Sequence, residues 1–125
     1  MKILLDTNVI IWFLEGSPRL NRATDLLFNQ DTEVYISPVS WWEIAIKVKF
    51  GKLSVDIPLI KSMTGKYNFM ELPMTGDCIQ AYLELPNLHK DPFDHMLLAQ
   101  AISFPMRLIT GDALLADYSS LVMVI

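Results

Sequence analysis

The stretch that decides the fold opens the chain: Met1-Lys2-Ile3-Leu4-Leu5-Asp6-Thr7-Asn8. Its three consecutive apolar residues predict a short strand that is buried on both faces, and such a strand needs further layers of structure on each side. We therefore expect it to be a central strand. Asp6 stands where this strand ends, which is where ligands bind in an open parallel sheet. Capping of the following helix is an equally good interpretation of Asp6 taken alone.

The composition limits the class of protein. The 125 residues suit one domain, 1–125, and a hydrophobic content of 52% with 3 Trp suggests that some apolar surface is reserved for a partner. Cys78 is the single cysteine, so an internal disulfide is excluded, and His89 and His95 are too few to build a zinc site with it. No apolar run approaches the ~20 residues of a membrane span. We expect a cytoplasmic protein without membrane segments.

The net charge alone does not identify a substrate. A formal charge of −4 argues against a nucleic-acid partner, because phosphate binding usually requires a basic excess. If four of the 14 acidic residues form a metal site, however, the remaining ten equal the 10 Lys and Arg. Bound cations would then neutralise the site, and the rest of the surface would carry no net charge.

Strands and helices are predicted to alternate along the chain. Short apolar runs predict further strands at 34–36, 69–72, 107–110 and 121–125, and periodic segments predict helices after Thr7 and at 21–30, 38–50, 56–63, 75–85, from 92 onward, and 112–118. This alternation is typical of an α/β domain with a mostly parallel sheet that is covered on both faces.

Glu43 is the only acidic residue in a predicted helix that is apolar on most sides. Ser37 and Pro38 supply the cap and the first turn of that helix. Lys47 follows Glu43 at the i, i+4 spacing, which favours a surface ion pair worth ~0.3 kcal/mol. A role in a buried site is the alternative, and the sequence leaves both interpretations open.

Asp94 lies at the start of the most informative helix. Asp91 is placed to cap this helix and Pro92 to occupy its first position, so that Asp94 falls third. Leu97, Leu98 and Ala101 follow at helical spacing, and Asp94 therefore begins an apolar stripe that should face the sheet. The helix dipole favours a carboxylate here, and a bound cation would favour it more strongly.

The right-handed crossover rule brings several carboxylates to one edge of the sheet. Asp6 and Asp112 follow strands that should end at that edge, and the helix that carries Asp94 should return to it. Clustered carboxylates repel one another unless a hard cation lies between them. Mg²⁺ or Mn²⁺ suits such oxygen ligands and keeps bound water, which can act as a nucleophile. The expected reaction is phosphodiester hydrolysis.

The motifs resemble those of the PIN-domain nucleases and, within them, the VapC-like ribonuclease toxins of bacterial toxin–antitoxin pairs. Four segments carry the resemblance in the family's order and span nearly the whole chain: Leu4-Leu5-Asp6-Thr7-Asn8; Ser40-Trp41-Trp42-Glu43-Ile44-Ala45-Ile46-Lys47 followed by Gly51-Lys52-Leu53; His89-Lys90-Asp91-Pro92-Phe93-Asp94 followed by Leu98-Ala99-Gln100-Ala101; and Leu108-Ile109-Thr110-Gly111-Asp112. As a set these segments are specific to the family, although no single one is.

The resemblance implies a three-layer sandwich around a five-stranded parallel sheet. It also implies an acidic quartet that holds Mg²⁺ or Mn²⁺ and performs catalysis, with three further residues that support it. The quartet is Asp6, Glu43, Asp94 and Asp112, and the supporting residues are Thr7, Thr110 and Asp91. His95 and Gly111 depart from the family pattern, in which longer, charged side chains are common at these two positions.

The implied function is that of a divalent-metal-dependent endoribonuclease, the toxin of a toxin–antitoxin pair, which hydrolyses RNA with a metal-activated water. The implied partners are RNA, a cognate antitoxin and a second copy of the chain. Trp12, Trp41 and Trp42 are candidates for the antitoxin surface. The alternative is a catalytically idle PIN-fold module that binds RNA or protein; loss of an acidic residue would indicate it, and all four are present.

Overall fold

The first strand, β1, lies at the centre of a five-stranded sheet in the order β3-β2-β1-β4-β5. All four pairings between neighbouring strands are parallel. The computed structural model describes residues 1–87 and 91–125, so that His89 and Lys90 of the third family segment lie outside the described residues. The predicted α/β architecture with a parallel, five-stranded sheet is confirmed.

The strands are β1 (Lys2–Leu5), β2 (Glu33–Ile36), β3 (Met70–Glu71), β4 (Arg107–Thr110) and β5 (Val122–Val124). The helices are α1 (Thr7–Glu15), α2 (Thr24–Leu27), α3 (Pro38–Lys49), α4 (Ile57–Lys66), α5 (Gly76–Glu84) and α6 (Pro92–Ser103). Two 3₁₀ helices span Pro18–Arg22 and Ala113–Asp117. Within the part of the chain that the structure describes, no helix has both the length and the apolar character needed to cross a membrane.

Successive residues of β1 face two different cores, as strand geometry requires. Ile3 and Leu5 contribute to a core with α1, α2, α3 and α4, whereas Leu4 faces a second core with α6 and the Ala113–Asp117 turn. All three side chains are fully buried. The sheet is therefore the middle layer of three, and the first strand holds both outer layers to it.

Side-chain caps begin the helices that carry acidic residues, as the sequence predicts. The Ser37 hydroxyl accepts a hydrogen bond from the Val39 amide at 3.0 Å. The Asp91 carboxylate accepts from the amides of Phe93 and Asp94 at 2.9 and 3.3 Å. A proline at the first position follows each cap. These caps fix where α3 and α6 start, and hence how far Glu43 and Asp94 lie from the edge of the sheet.

The helix predicted over 21–30 is wrong. The chain instead forms the 3₁₀ helix Pro18–Arg22 and then the short helix α2. The Thr24 hydroxyl donates to the Leu20 carbonyl at 3.1 Å, and a bond of this kind bends a helix. The Asn29 side chain accepts from the Asp31 amide at 2.8 Å and so stabilises a turn in place of further helix. Leu20 and Leu27 are nevertheless buried, as the apolar spacing requires.

Smaller differences lie at the ends of other elements. The helix predicted over 56–63 extends through α4 to Lys66, and the strand predicted over 69–72 contracts to Met70–Glu71. An edge strand forms ladder hydrogen bonds on one side only, so β3 extends only as far as β2 pairs with it.

Gln100 joins both outer layers through a buried hydrogen-bond network. It is completely buried on α6, where its Oε1 accepts from the Ser37 hydroxyl at 2.6 Å. Its Nε2 donates to the carbonyls of Leu72 and Pro73, each at 3.2 Å. The network fixes the start of α3 relative to α6, which are the two helices that carry Glu43 and Asp94.

We expect Gln100→Leu to lower the free energy of unfolding by about 2 to 4 kcal/mol. The substitution leaves the Ser37 hydroxyl and the Leu72 carbonyl buried without their partner, and each such group costs about 1 to 3 kcal/mol, partly offset by relaxation. Urea denaturation measures the change. Gln80→Leu is the matched control because Gln80 is exposed on α5, and its effect should stay within about 0.5 kcal/mol. Equal effects of the two substitutions would contradict the role of this network.

Candidate active site

Asp6 is held at the end of β1 by two hydrogen bonds to its carboxylate. The Thr7 amide donates to Oδ1 at 2.6 Å, and the Thr110 hydroxyl donates to Oδ2 at 2.6 Å. The side chain is buried, and this burial raises the pKa of Asp6 above its ordinary value. The two hydrogen bonds lower the pKa, whereas the charges of Glu43 and Asp91 raise it further. Asp6 therefore caps α1 and also faces other carboxylates, and its role in binding a ligand stays a prediction.

Thr110 connects Asp6 to Asp112 across neighbouring strands. Its hydroxyl, which donates to Asp6, also accepts a hydrogen bond from the Asp112 amide at 3.0 Å. After β1 the chain first adds β2 and β3 on one side of this strand and then β4 and β5 on the other, and open α/β sheets bind ligands at such a switch in strand order. Asp112 is half-buried and accepts from the Leu114 amide at 3.0 Å, which begins the second 3₁₀ helix. The structure thus confirms that Asp6 and Asp112 share one edge.

Glu43 combines the two interpretations that the sequence left open. Its Oε2 lies 3.1 Å from the Lys47 Nζ, so the predicted ion pair is present. Its Oε1 is buried, and it is the one buried side-chain oxygen among residues 1–87 and 91–125 that has no hydrogen-bond partner. A buried carboxylate oxygen without a donor is unfavourable, and a bound cation would satisfy it.

Ser40 fixes the helix that carries Glu43 and was not predicted as a functional residue. It is fully buried one turn before Glu43, and its hydroxyl accepts a hydrogen bond from the Thr7 hydroxyl at 3.0 Å. Thr7 therefore links the start of α1 to α3, and its supporting role at a metal site stays a prediction. A small polar residue on an otherwise apolar helix was the available signal, but its partner lies 33 residues away in the sequence.

Asp94 faces inward from the first turn of α6 and is buried. Burial, followed by the charges of Asp6, Asp91 and Glu43, raises the pKa of Asp94 to about 8. A hydrogen bond with the Asp91 side chain contributes in the same direction. Asp91 accordingly acts both as the helix cap and as a neighbouring charge.

The structure brings together Asp6, Glu43, Asp91 and Asp94, whose charges act on one another, and Asp112 joins them through Thr110. As the side chains stand, no three Asp, Glu, His or Cys groups of the described residues are arranged to hold one ion. The donor set nevertheless fits Mg²⁺ or Mn²⁺, because it consists of carboxylate oxygens and includes the unpartnered Oε1 of Glu43. Assignment of the four acids as metal ligands stays a prediction.

The two departures from the family pattern have structural explanations. His95 is buried, and its Nε2 lies 3.0 Å from the Tyr118 hydroxyl, so its side chain belongs to the packed interior beside α6. Gly111 lies against Trp12: a Cβ atom at Gly111 would stand 2.2 Å from Cη2 of the Trp12 ring. A longer residue at position 111 is therefore incompatible with the position of this tryptophan.

A family model of the PIN domain matches residues 3–121. The chain belongs to the PIN domain family. This PIN domain is similar to Ribonuclease VapC22 of Mycobacterium tuberculosis, with 25% identity over 118 residues that cover 93% of this chain and 91% of the relative. The resemblance inferred from the sequence motifs is confirmed.

Solved structures share the fold of this PIN domain. VapBC2 from Rickettsia felis, bound to a DNA fragment from its promoter, superimposes with a TM-score of 0.75 at 16% identity, covering 100% of this chain and 98% of that one. A toxin-antitoxin complex from Klebsiella pneumoniae gives a TM-score of 0.71 at 19% identity, with coverages of 98% and 96%.

The raised pKa of Asp94 predicts how the stability of the metal-free protein depends on pH. Because this pKa is about 8 in the folded state and ~3.9 in the unfolded chain, the native state binds more protons between these values. Stability should therefore fall as the pH rises from about 4 to about 8. Asp94→Asn should raise the melting temperature in chelator at pH 8 and flatten this dependence.

Thermal melts at pH 5 and pH 8, with chelator and with Mg²⁺ or Mn²⁺, measure these effects. A cation at a hundredfold excess over its Kd stabilises the native state by about 2.7 kcal/mol. The wild type should gain more of this stabilisation than Asp94→Asn, because the variant lacks one of the predicted metal ligands. Asp117→Asn removes an exposed carboxylate as a control. A lower melting temperature for Asp94→Asn in chelator, with equal metal shifts for both proteins, would leave Asp94 as only a helix-terminal residue.

Proposed function

We propose that this PIN domain, acting as one unit over 1–125 in the cytoplasm, is the ribonuclease toxin of a toxin–antitoxin pair and hydrolyses RNA with the help of Mg²⁺ or Mn²⁺. The observation that carries the proposal is the convergence of the buried carboxylates of Asp6, Glu43 and Asp94 at the carboxyl edge of the sheet. Such crowding is unfavourable for folding alone, because each charge loses hydration and repels the others. The likeness to a VapC ribonuclease over most of both chains supports the same activity.

Each acidic residue has a separate part in the proposed mechanism. Asp6 is oriented by Thr7 and Thr110, so it presents its carboxylate in one direction. Glu43 offers its unpartnered Oε1, while Lys47 neutralises Oε2.

Asp94 holds a proton in the metal-free protein near neutral pH and must release it before it can bind a cation. Asp112 completes the acidic quartet at the end of β4.

A divalent ion held by Asp6, Glu43, Asp94 and Asp112 would lower the pKa of a water molecule and offset the charge that develops on the phosphate. The protein supplies the fixed orientation of the ligands and a partly buried environment, which strengthens electrostatic interactions. Hydrolysis by water leaves a 5′-phosphate and a 3′-hydroxyl on the products.

Trp42 is the strongest candidate for the surface that binds the antitoxin. Trp12 and Trp41 are partly buried against the first core, whereas Trp42 is 63% exposed. Its ring packs against Phe93 with the ring centroids 5.3 Å apart, beside an apolar cavity of about 220 Å³. Trp42 and Phe93 are the sequence neighbours of Glu43 and Asp94, and we propose that a helix bound on this surface also extends over the acidic site.

Single-stranded RNA should be cleaved in Mg²⁺ or Mn²⁺ and left intact in chelator. Asp6→Asn and Asp94→Asn should each lower kcat by at least about a hundredfold, because each removes a charged ligand from the site. Mapping of the product ends checks the chemistry, and thermal melts confirm that each variant is folded. Asp117→Asn again serves as the control.

Cleavage that persists in chelator and yields 2′,3′-cyclic ends would remove this mechanism. Full activity in Asp6→Asn or Asp94→Asn would show that the ligands are assigned wrongly. Binding of RNA or antitoxin by a folded wild-type chain that never cleaves RNA would instead support the idle PIN-fold module.

We expect a homodimer that also binds the antitoxin encoded beside it. Light scattering at micromolar concentration measures the oligomeric state, and co-purification after joint expression measures antitoxin binding. Trp42→Glu should weaken antitoxin binding by about tenfold or more, as loss of a large aromatic contact does at interfaces. Leu59→Glu is the control, since Leu59 is 56% exposed on α4. A monomer that retains no antitoxin would contradict both expectations.

A further inference from the structure

A groove of about 390 Å³ lies next to the acidic site, where Trp12 of α1, Gly111 and the first 3₁₀ helix meet. Two arginines of that helix, Arg19 and Arg22, line it. The sequence did not indicate this groove, because residues 21–30 were predicted to form one regular helix. The acidic site described above makes no use of either arginine.

The 3₁₀ geometry places both arginines on one face. A 3₁₀ helix has three residues per turn, so side chains three positions apart lie directly above one another. Arg19 and Arg22 are separated by this interval within Pro18–Arg22, and both are exposed. Within the described part of the chain, neither arginine forms an ion pair. In an α-helix the same two residues would be about 60° apart around the axis, so the 3₁₀ turn aligns them more closely.

Trp12 holds Arg19 in position. The guanidinium carbon lies 5.1 Å from the centroid of the Trp12 ring, within the range of a cation–π interaction. Gly16 ends α1 in the left-handed region, with φ of +62°, and the Ser17 amide then donates to the Trp12 carbonyl at 2.9 Å. The Ser17 hydroxyl accepts from the Arg19 amide at 3.2 Å. The direction of Arg19 is therefore set before any ligand binds, which lowers the entropic cost of binding.

Gly111 joins this groove to the acidic site. It lies between Thr110, which donates to Asp6, and Asp112. Because a Cβ atom at this position would stand 2.2 Å from Trp12 Cη2, only glycine lets the ring reach the end of β4. Contact between Trp12 and the backbone of Gly111 thus brings the groove to the residue that lies between Thr110 and Asp112.

We propose that Arg19 and Arg22 bind backbone phosphates of the RNA substrate next to the bond that is cleaved. The inference rests on the proposed function, because it names the surface that holds the substrate of that site. A chain with a net charge of −4 and an acidic site repels RNA, so cations must act locally to bring the phosphates close. The planar guanidinium group matches phosphate oxygens with two parallel hydrogen bonds.

An acidic segment of a protein partner would satisfy the same two charges. RNA is favoured because a phosphodiester must occupy the adjacent acidic site during cleavage, and its neighbouring phosphates then lie within reach of the groove. In the family pattern a longer, charged residue is common at position 111. Gly111 has no side chain that could contact a phosphate, and in this inference the two arginines supply the cationic contacts instead.

The test compares Arg19→Gln/Arg22→Gln with Lys61→Gln/Lys66→Gln, which removes the same charge from α4. Lys66 is a close match for Arg19, since its Nζ lies 5.7 Å from the Tyr67 ring. We expect the arginine variant to raise KM for a short single-stranded RNA by about tenfold with kcat within about twofold, which is the signature of lost ground-state binding. The lysine variant should keep the wild-type KM.

Binding of the same fluorescently labelled RNA is also measured against salt concentration, in the cleavage-deficient Asp6→Asn background. Loss of two phosphate contacts should reduce the slope of log K against log salt by about 1.4, or about 0.7 for each contact. Arg19→Lys/Arg22→Lys keeps both charges and should restore most of this slope, whereas a merely structural role of the arginines would not respond in this way.

The outcomes separate this inference from the proposed function. If the wild-type protein cleaves RNA and the arginine variant has an unchanged KM and salt slope, the inference is wrong while the function stands. If the arginine variant instead loses antitoxin binding with unchanged RNA binding, the groove is a protein-binding surface and the inference is equally wrong. A wild-type protein that neither binds nor cleaves RNA would overturn the function itself.

Discussion

The hydrogen bond from the Thr110 hydroxyl to the Asp6 carboxylate is the interaction on which the site depends. Burial favours the uncharged form of Asp6, and the donors from Thr110 and Thr7 oppose that tendency. Thr110 can do so only because β1 and β4 are parallel neighbours whose ends meet at the same edge. The sheet thus determines which side chains can stabilise the charge, and the hydrogen bond in turn fixes the orientation of the carboxylate.

The remaining acidic residues are positioned by contacts at a distance from the site. Gln100 and Ser37 hold α6 against the start of α3, and Ser40 joins α3 to Thr7. These residues are fully buried and neutral, so they fix the helices without adding charge to a region that is already crowded with it. Asp6, Glu43 and Asp94 can therefore be close together while the hydrophobic layers on either side of the sheet supply the stability.

Much of this arrangement could be predicted from local sequence signals. The apolar run before Asp6 indicated the central strand, and the Ser37-Pro38 and Asp91-Pro92 pairs indicated where α3 and α6 begin. Long-range partners could not be predicted, because the bonds of Thr7 to Ser40 and of Ser37 to Gln100 join residues that are 33 and 63 positions apart. The 3₁₀ helix was missed because Leu20, Ala23 and Leu27 are also spaced as in an α-helix. The role of the acidic quartet in binding metal stays a prediction.

The bond between Asp6 and Thr110 spans 104 residues, and this separation has a consequence for synthesis of the chain. At about 5 to 20 residues per second, Asp6 is added to the growing chain roughly 5 to 20 s before Thr110. Closure of so long a loop also makes folding slow. The nascent chain therefore cannot assemble its site while most of it is being made. A cell that produces a nuclease of this design has an interval in which the chain is harmless.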